Sequence, residues 1–429
     1  MKQKVNLFWF RRDLRLNDNH GLFASLQDKS HPTLCVFIFD NNILKKLPKN
    51  DLRVNFIHQN LLYIKKSLNH LGSDLYVAFD SPENAFLNLF EIFDVNRIYS
   101  NSDYEPYAIK RDFQIKTLSE KNHIEFKQFK DQVVFEPKEI LNSEGKPFKV
   151  FSQFYKKYKE KLNEKHLQNF EIKDNDNFLK ITNLDFPSLE SMGFESASTQ
   201  FPRSSLNLEL LKEYEELRNI PSKDSTSKLG IHLRFGTISI RKTMAAALSY
   251  EPWLQELVWR EFFMHILYFY PQTIIHDFNP KVYQNIKWEN GLQKIEKWKK
   301  GETGYPLVDA GMRELNQTGH IHNRVRMLVA SFLVKNLMID WRIGERYFAE
   351  KLLDFDLSAN VGNWQWCAGC GVDAAPHFRI FNPTLQQEKF DPDFLYIKKW
   401  IPNFDPKNYI EPIVDFKTSR DRFLSLFKK

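Results

Sequence analysis

The first third of the chain alternates short apolar runs with stretches in which apolar residues recur at helical spacing. Runs that are apolar at consecutive positions are typical of parallel strands covered on both faces. Five runs predict strands, at Val5–Phe10, Thr33–Phe39, Leu75–Phe79, Arg97–Asn101 and Ile124–Phe129. Helical spacing lies between them in Phe56–Leu71 and Pro82–Phe93. The pattern therefore predicts a doubly wound, five-stranded parallel sheet with right-handed crossovers.

The pattern changes twice further along the chain. Residues 131–204 are polar and irregular, which is typical of a long connector between domains. Beyond residue 205 helical spacing dominates, and it predicts helical segments at Leu206–Leu217, Trp253–Phe269, Asp309–Gln317, Arg324–Met338, Ile343–Leu353 and Asn360–Cys367. We therefore predict an α/β domain over 1–130, a linker over 131–204 and an all-helical domain over 205–429.

The composition agrees with two globular domains. A chain of 429 residues is longer than a single hydrophobic core usually supports. With 42% hydrophobic and 27% charged residues, it is neither disordered nor collagen-like. The net charge of +7 permits an anionic partner such as nucleic acid without requiring one. The 15% of aromatic residues suits stacking on flat partners, although aromatic rings also fill cores.

Cysteine usage and hydropathy indicate the compartment. Three cysteines cannot form a disulfide framework, and Arg11 and Arg12 end the first apolar run before it reaches the length of a signal peptide. No stretch approaches the roughly 18 apolar residues of a membrane span, so we expect a cytoplasmic protein. The pair Cys367 and Cys370 has C-x-x-C spacing but lacks a second pair, and we interpret it as structural, with no metal site.

The segment Trp253–Phe263 places charges on a helix face that also carries aromatic rings. Glu256, Trp259, Arg260 and Phe263 are spaced i, i+3, i+4 and i+7 and so share one face. Because an unpaired buried charge is costly, this face is predicted to line a polar cavity. An ordinary Glu256–Arg260 surface pair is the alternative.

A second polar cluster lies between residues 353 and 366. Asp354 is expected to face an arginine such as Arg326, and Asp356 to accept hydrogen bonds from a ligand. Helix capping by both carboxylates is the alternative. Nearby, Asn323 and Met327 lie one helical turn apart, whereas Arg324 and Arg326 are expected to point elsewhere.

Two shorter features complete the candidates for chemistry. His320 and His322 have i, i+2 spacing and no third ligand nearby, so they do not predict a metal site. The loop Ser225–Gly230 supplies hydroxyls, backbone N–H groups and one cation, which suits a phosphate group.

Seven segments, in their order and spacing, resemble the photolyase/cryptochrome family. They are Phe8–Arg15, Thr226–Gly230, Trp259–Phe262, Thr303–Asp309, His322–Arg324, Asn363–Trp366 and Phe378–Pro383. The resemblance covers nearly the whole chain and is closest to the bacterial photolyases that act on cyclobutane pyrimidine dimers. It implies an antenna domain, a helical domain with one noncovalent FAD, and light-driven repair of UV-damaged DNA by a monomer without an obligate protein partner. In such repair, excited reduced FAD passes one electron to a flipped-out dimer.

The resemblance also implies roles for individual residues. Catalytic roles fall on Glu256, Asn323 and Asn360. Flavin-binding positions are Tyr214, Thr226, Ser227, Lys228, Leu229, Gly230, Asp354, Asp356 and Asn360. Electron transfer to the flavin falls on Trp288, Trp341 and Trp364. The lesion and DNA contacts fall on Arg218, Glu256, Trp259, Arg260, Asn323, Arg324, Met327, Trp366, Arg379 and Gln386.

Some features leave alternatives open. The family usually has Trp where this chain has His320, and Ser where it has Gly230. Residues Tyr104–Asp112 resemble relatives that hold a deazaflavin or FMN more than those that hold a folate, because the Asn-Glu pair that grips folate is missing; an empty site is also open. A cryptochrome without repair is a competing function. A photolyase for (6-4) photoproducts is another, although it predicts histidines where this chain has Asn323 and Met327.

Overall fold

Five strands form one parallel sheet in the computed structural model, which describes residues 2–173, 177–284 and 286–427. The strands are β1 (Lys4–Phe10), β2 (Thr33–Asp40), β3 (Leu75–Asp80), β4 (Asp94–Asn101) and β5 (Glu125–Phe129). Their order in the sheet is β3-β2-β1-β4-β5. The predicted doubly wound sheet is confirmed, and each predicted strand lies within three residues of an observed one.

The central strand β1 is buried on both faces. Its register places Asn6 opposite Thr33 of β2 and Trp9 opposite Val36. Trp9 is 1% exposed, and its ring packs edge-on against Phe86 at 5.1 Å between ring centroids. Burial on both faces explains why this strand is apolar at nearly every position.

Eighteen α-helices surround the sheet or follow it in the described chain. The first nine are α1 (His20–Gln27), α2 (Asn41–Leu44), α3 (Leu52–His70), α4 (Pro82–Ile92), α5 (Pro106–Lys121), α6 (Phe151–Lys161), α7 (Leu208–Leu217), α8 (Gly230–Phe235) and α9 (Ile240–Ala247). The others are α10 (Glu251–Phe269), α11 (Leu292–Lys300), α12 (Pro306–Thr318), α13 (Asn323–Ser331), α14 (Trp341–Lys351), α15 (Leu357–Ala368), α16 (Pro383–Phe390), α17 (Leu395–Trp400) and α18 (Phe416–Ser425). After Phe129 the described residues contain no further strand of the sheet, as predicted for the C-terminal part.

One predicted helix is interrupted. The segment Arg324–Met338 was expected to be continuous, but α13 ends at Ser331 and Phe332–Asn336 forms a π-helical turn. Every residue of that turn is buried, so the apolar pattern continues although the backbone geometry changes. Apolar spacing therefore could not reveal the break.

The chain divides into two compact units, each built from three separate stretches. The sheet unit comprises Met1–Ile140, Lys159–Leu206 and Lys228–Ser249. The helical unit comprises Leu141–Tyr158, Asn207–Ser227 and Tyr250–Lys429. The chain between the sheet and the main helical stretch is thus shared by both units.

Buried ion pairs hold the last stretch of the sheet unit in place. Arg241 donates to Asp18 at 3.0 Å and to Asp131 at 2.8 Å, and Arg15 donates to Asp131 at 2.8 Å. Burial alone would raise the pKa of Asp131, but Arg15 and Arg241 outweigh it and hold that pKa below its usual value. Removing one member of such a set leaves an unpaired buried charge and costs about 3–5 kcal/mol. Residues far apart in sequence are therefore tied together in this unit.

In the helical unit, α15 packs against α10, α13 and α14. Two glycines permit the closest approaches. A Cβ atom at Gly362 would lie 2.2 Å from the Phe263 ring, and a Cβ atom at Gly344 would lie 2.2 Å from the Trp364 ring. These positions can hold only glycine without moving an aromatic side chain.

We expect Gly362→Ala to destabilise the helical unit. Overpacking against Phe263 costs about 1–3 kcal/mol, and each kcal/mol lowers the melting temperature of a unit of this size by about 2–4 °C. Thermal unfolding followed by circular dichroism measures the shift. Asn363→Ala, at the neighbouring exposed position of α15, serves as the control and should change stability by less than about 0.5 kcal/mol. Equal melting temperatures for Gly362→Ala and the wild type would contradict this packing.

Candidate functional site

A cavity in the helical unit collects polar side chains from α13, from α15 and from the segment that leads into α15. It encloses about 570 Å³ of empty space, including the part open to solvent, and we call it the central cavity. Its polar lining residues are Asn323, Arg326, Asp354, Asp356, Asn360 and Asn363. Its apolar lining includes Met327, Phe348, Trp364 and Cys367. The mixed polar and apolar lining is typical of a small-molecule site.

Asp354 and Arg326 form an ion pair in the wall of this cavity. Arg326 Nη2 donates to Asp354 Oδ2 at 2.9 Å, as the sequence predicted. The expectation that Arg326 points away from Asn323 is wrong, because the two residues are spaced i, i+3 and both line the cavity. Asp354 Oδ1 is buried and accepts no hydrogen bond from the described residues, so the wall offers an acceptor to a ligand.

Asp356 caps helix α15. Its Oδ1 atom accepts from the backbone N–H groups of Ser358 at 3.1 Å and Ala359 at 3.2 Å. The hydroxyl of Ser358 donates to the same oxygen. Of the two sequence interpretations, capping therefore holds for Asp356 and pairing with arginine for Asp354. Both carboxylates still line the cavity.

Asn360 is fixed by a buried glutamate that the sequence analysis did not single out. Asn360 Nδ2 donates to Glu345 Oε1 at 2.9 Å and to the Glu345 carbonyl oxygen at 3.1 Å. Because both amide hydrogens are used, the Asn360 carbonyl oxygen is the group left for a ligand. Burial raises the pKa of Glu345, more than the hydrogen bond from Asn360 lowers it. No spacing signal links these residues, since they lie on different helices.

The three tryptophans predicted to carry electrons share one hydrophobic core. Trp364 lines the central cavity and is 3% exposed. Trp341 is fully buried, and its indole N–H donates to Asp277 Oδ1 at 2.8 Å. Trp288 is partly exposed and packs edge-on against Tyr283 at 5.0 Å. Trp364 thus lies at the cavity and Trp288 partly at the surface, and the electron path through the three indoles stays a prediction.

Glu256 lies apart from the central cavity lining and pairs with an arginine from another helix. Its Oε1 atom accepts from Arg218 Nη1 at 2.7 Å, so the alternative Glu256–Arg260 pair is wrong. The guanidinium of Arg218 lies 5.6 Å from the centre of the Tyr214 ring. Burial raises the pKa of Tyr214 to about 12. The structure thus brings together three residues with different predicted roles. They are Tyr214 for the flavin, Arg218 for DNA and Glu256 for catalysis.

One face of Trp259 is covered by a residue of the predicted linker. Phe151 stacks on Trp259 with ring centroids 3.7 Å apart and ring planes 8° apart. Phe263 packs on the same indole at 5.4 Å. Among the described residues lining the central cavity, neither Trp259 nor Trp366 occurs, whereas Asn323 and Met327 do. Of the residues predicted to bind the lesion, Asn323 and Met327 therefore line the central cavity, whereas Glu256, Trp259 and Trp366 are outside its lining.

Three of the predicted DNA-contacting arginines lie close enough to influence one another. Arg324 Nη2 donates to Asn219 Oδ1 at 2.6 Å. Burial lowers the pKa of Arg324, and the charges of Arg379 and Arg218 lower it further. Like charges gathered in this way raise the local positive potential. The remaining members of the predicted set are Arg260 in α10 and Gln386 in α16.

The predicted phosphate loop spans the boundary between the units. Thr226 and Ser227 belong to the helical unit, and Lys228, Leu229 and Gly230 belong to the sheet unit. Lys228 has a φ of 51°, a left-handed conformation that is uncommon for a residue with a side chain. Gly230 begins α8, which is only six residues long.

The segment predicted to hold a second chromophore lies in the sheet unit and is tied down by polar contacts. Tyr107 donates to Asp40 Oδ2 at 2.5 Å, and Arg111 donates to Asp112 Oδ1 at 2.8 Å. The Arg111 guanidinium lies 5.0 Å from the centre of the Trp9 ring. Of the residues in this segment, Tyr104, Ala108, Arg111 and Asp112 are buried.

Two further expectations concern metal and membrane. In the described part of the chain, no three His, Cys, Asp or Glu side chains come together as a metal site would require. Cys367 and Cys370 are both buried and unbridged. None of the helices in the described ranges combines the length and the apolar character needed to span a bilayer.

Two family models match this chain. The model described as DNA photolyase matches residues 6–171, and the model described as FAD binding domain of DNA photolyase matches residues 253–406. The matched ranges include β1 to β5 and most of the central cavity's helices.

Known proteins match the chain over nearly its full length. A deoxyribodipyrimidine photo-lyase of Buchnera aphidicola subsp. Baizongia pistaciae is 36% identical, with 99% of this chain and 98% of the relative covered. The structure of a Sulfolobus tokodaii archaeal photolyase with two FAD molecules is 37% identical, with a TM-score of 0.87 and coverage of 98% and 99%. A bacterial class III photolyase from Agrobacterium tumefaciens is 30% identical, with a TM-score of 0.88 and coverage of 100% and 98%.

The cap made by Asp356 leads to a test of what this carboxylate does for the fold. We expect Asp356→Ala to lower the free energy of unfolding by about 0.5–2 kcal/mol, because the first N–H groups of α15 lose their acceptor. Asp356→Asn keeps an acceptor oxygen and should unfold like the wild type. Urea denaturation followed by tryptophan fluorescence measures both. If the two variants are destabilised equally, the negative charge and not the cap supports the helix.

Proposed function

This chain belongs to the DNA photolyase family, and on that premise we propose that it repairs cyclobutane pyrimidine dimers in UV-damaged DNA with light. The central cavity carries the proposal, because its wall combines acceptor oxygens for a flavin with Asn323 and Met327 for a lesion. Bound reduced FAD supplies, after excitation, the single electron that splits the cyclobutane bonds and then returns. No side chain is required as a nucleophile.

The residues of the central cavity fit a flavin. The buried, unpartnered Oδ1 of Asp354 suits an N–H donor of the ligand. The Asn360 carbonyl, held by Glu345, offers a second acceptor. Arg326 balances the charge of Asp354 in this wall. We propose that Asp354, Asp356 and Asn360 hold the isoalloxazine and that Tyr214 with the loop Thr226–Gly230 holds the rest of FAD.

The lesion is proposed to meet Glu256, Trp259, Asn323, Met327 and Trp366. Phe151 fixes the plane of the Trp259 ring from one side, which prepares a flat apolar wall for a flipped-out base. Arg218 holds the Glu256 carboxylate in place at 2.7 Å. The arginines 218, 324 and 379 supply charge for backbone phosphates, which positions the duplex without reading its sequence.

Electrons are proposed to reach the flavin through Trp288, Trp341 and Trp364. The supporting observation is their placement in one hydrophobic cluster, with Trp364 at the cavity and Trp288 partly exposed. This path restores the reduced flavin from a resting state, and an external reductant such as a thiol supplies the electron. Dimer splitting itself does not use it.

A second chromophore is proposed in the sheet unit. The segment Tyr104–Asp112 lacks the Asn-Glu pair of folate-binding relatives, and the similar archaeal photolyase was solved with two FAD molecules. We therefore propose a flavin-type molecule, a deazaflavin or FMN, in preference to a folate.

Extraction of the cofactors tests both chromophores. We expect denatured protein to release one equivalent of FAD and a second, flavin-type chromophore, because the cavity fits a flavin and the folate-binding pair is missing. Chromatography with absorbance and mass detection identifies them. Folded protein that is colourless and cannot be reconstituted with FAD would contradict the proposal. FAD alone would indicate an empty antenna site, and a folate would overturn the flavin-type assignment.

A cryptochrome without repair is the second candidate, because it would use the same flavin. The pocket favours repair, since Asn323 and Met327 line the cavity and Glu256 is held by Arg218. Repair of (6-4) photoproducts is disfavoured by the absence of histidines at residues 323 and 327.

Binding and repair assays separate these functions. We expect Trp259→Ala to lose about 1–3 kcal/mol of affinity for a duplex with one cyclobutane dimer, the usual worth of a base–aromatic stack. Arg324→Ala should weaken damaged and undamaged duplexes alike and reduce the slope of log K against log salt by about one, because it removes one phosphate contact. Titration of labelled duplexes at several salt concentrations measures both effects.

The same proteins are then reduced and illuminated with the damaged duplex. Recovery of pyrimidine absorbance reports repair of cyclobutane dimers. Wild-type protein that repairs only (6-4) photoproducts would contradict the proposed substrate. Equal losses on both duplexes in Trp259→Ala would show that this indole does not contact the lesion.

A further inference from the structure

The indole of Trp341 lies in an unusual electrostatic environment for a buried aromatic ring. Its N–H donates to the carboxylate of Asp277 at 2.8 Å, and the ring itself is fully buried. The guanidinium of Arg342 lies 4.7 Å from the ring centre. Arg342 in turn pairs with Asp277 at 2.9 Å and with Asp340 at 3.1 Å. Two carboxylates and one guanidinium thus surround this indole and carry a net charge of −1.

We propose that Asp277 is a positioning residue for electron transfer, which lowers the oxidation potential of Trp341. The inference rests on the proposed path through Trp288, Trp341 and Trp364. An indole that has lost an electron is positive, and its N–H becomes a stronger donor. The hydrogen bond to Asp277 then becomes charge-assisted on both sides, so the oxidised indole gains more from it than the neutral one.

Burial increases this preference. The side chain of Asp277 is 11% exposed, and Coulomb interactions are stronger away from bulk water. Arg342 opposes the effect, because a cation near the ring disfavours a positive indole. Its charge is however shared between Asp277 and Asp340, and only Asp277 touches the indole nitrogen. The balance of charge therefore favours the oxidised form.

One electron moves at each step along the three indoles. With FAD bound in its oxidised form, light would let the flavin accept one electron from Trp364. The oxidised Trp364 would then take one electron from Trp341, and Trp341 one electron from Trp288. An external thiol supplies one electron to Trp288. No bond is made or broken at Trp341, and its N–H proton stays on the indole, hydrogen-bonded to Asp277. Asp277 lowers the energy of the state in which Trp341 has lost an electron. Asp277 itself is neither oxidised nor protonated.

The hydrogen bond to the indole alone would not require a carboxylate at this position, although the ion pair with Arg342 uses one. The indole N–H needs one acceptor, which a neutral amide or hydroxyl also provides. Cys370 faces the same carboxylate, and the proximity of Asp277 adds to burial in raising the pKa of its thiol. Asp277 therefore accepts hydrogen bonds from Trp341, Arg342 and Cys370. A substitution that keeps an acceptor but removes the negative charge shows what the charge contributes.

The test compares Asp277→Asn with a matched control. Asp277→Asn keeps an acceptor and removes the charge, whereas Asp277→Glu keeps the charge. Asp340→Asn removes a charge that pairs with the same Arg342 but does not touch the indole, and asparagine still caps α14. FAD-loaded protein with oxidised flavin is illuminated with a thiol, and the loss of flavin absorbance gives the photoreduction rate. We expect a rate several-fold lower in Asp277→Asn, and rates within twofold of the wild type in Asp277→Glu and Asp340→Asn.

A spectroscopic measurement on the same FAD-loaded proteins does not depend on turnover. Nuclear magnetic resonance of indole-¹⁵N-labelled protein reports each tryptophan N–H, and Trp341→Phe assigns the resonance of Trp341. We expect this resonance to be shifted downfield by the carboxylate in the wild type. It should move upfield in Asp277→Asn and stay in place in Asp340→Asn. Asp277→Ser provides a second neutral variant if Asp277→Asn does not fold.

The outcomes separate this inference from the proposed function. If Trp341→Phe blocks photoreduction while Asp277→Asn photoreduces like the wild type, the inference is wrong and the electron path stands. If Trp341→Phe also photoreduces normally, the path itself is wrong and the inference falls with it. An unshifted Trp341 resonance in wild-type protein would exclude the hydrogen bond. Repair of dimers by chemically reduced wild-type protein tests the proposed function independently.

Discussion

The close packing of α15 is the constraint on which the candidate site depends. This helix touches α10, α13 and α14 at once, and Gly362 allows the contact with the Phe263 ring. Gly344 allows Trp364 of α15 to approach α14 in the same way. Because these distances leave no freedom, Asp356 at its start and Asn360 one turn later have fixed positions in the cavity wall. A binding site built on rigid helices holds its groups more accurately than one built on loops.

Each polar group on this wall is held by a partner that fixes its chemical character. Asp354 pairs with Arg326, and Asp356 accepts hydrogen bonds from the N–H groups at the start of α15. Asn360 gives both amide hydrogens to Glu345 and keeps its carbonyl for a ligand. These partners, which lie behind the cavity wall, thus decide which atoms of Asp354, Asp356 and Asn360 face the cavity. Buried polar groups need this satisfaction, and here it also selects acceptors over donors.

The sequence predicted the sheet better than the site. β1 and β2 are buried on both faces and apolar at nearly every position, so they were the clearest to find. Helices α1 and α5 carry mixed faces and were missed. The pairing of Asp354 with Arg326 was predictable because a buried carboxylate needs a cation. Glu345, Asp277 and Phe151 were not, because each meets its partner across helices that only the fold brings together. The pairing of Glu256 with Arg218 was not predictable for the same reason, since Arg218 follows α7 and Glu256 lies in α10.

The buried ion pairs of the sheet unit have a consequence for how this chain can be made or divided. Asp18 and Asp131 are synthesised early, but Arg241, which pairs with both, follows more than one hundred residues after Asp131. A nascent chain that ends near residue 140 therefore contains all five strands and Arg15, but still lacks Arg241, the guanidinium that pairs with both Asp18 and Asp131. The chain also passes between the two units five times, so no single cut separates them. We therefore do not expect the sheet unit to be exchanged as a separate module. We also do not expect it to finish folding on the ribosome before the helical unit is synthesised. The coding regions of the two units therefore cannot be separated at a single point in the gene.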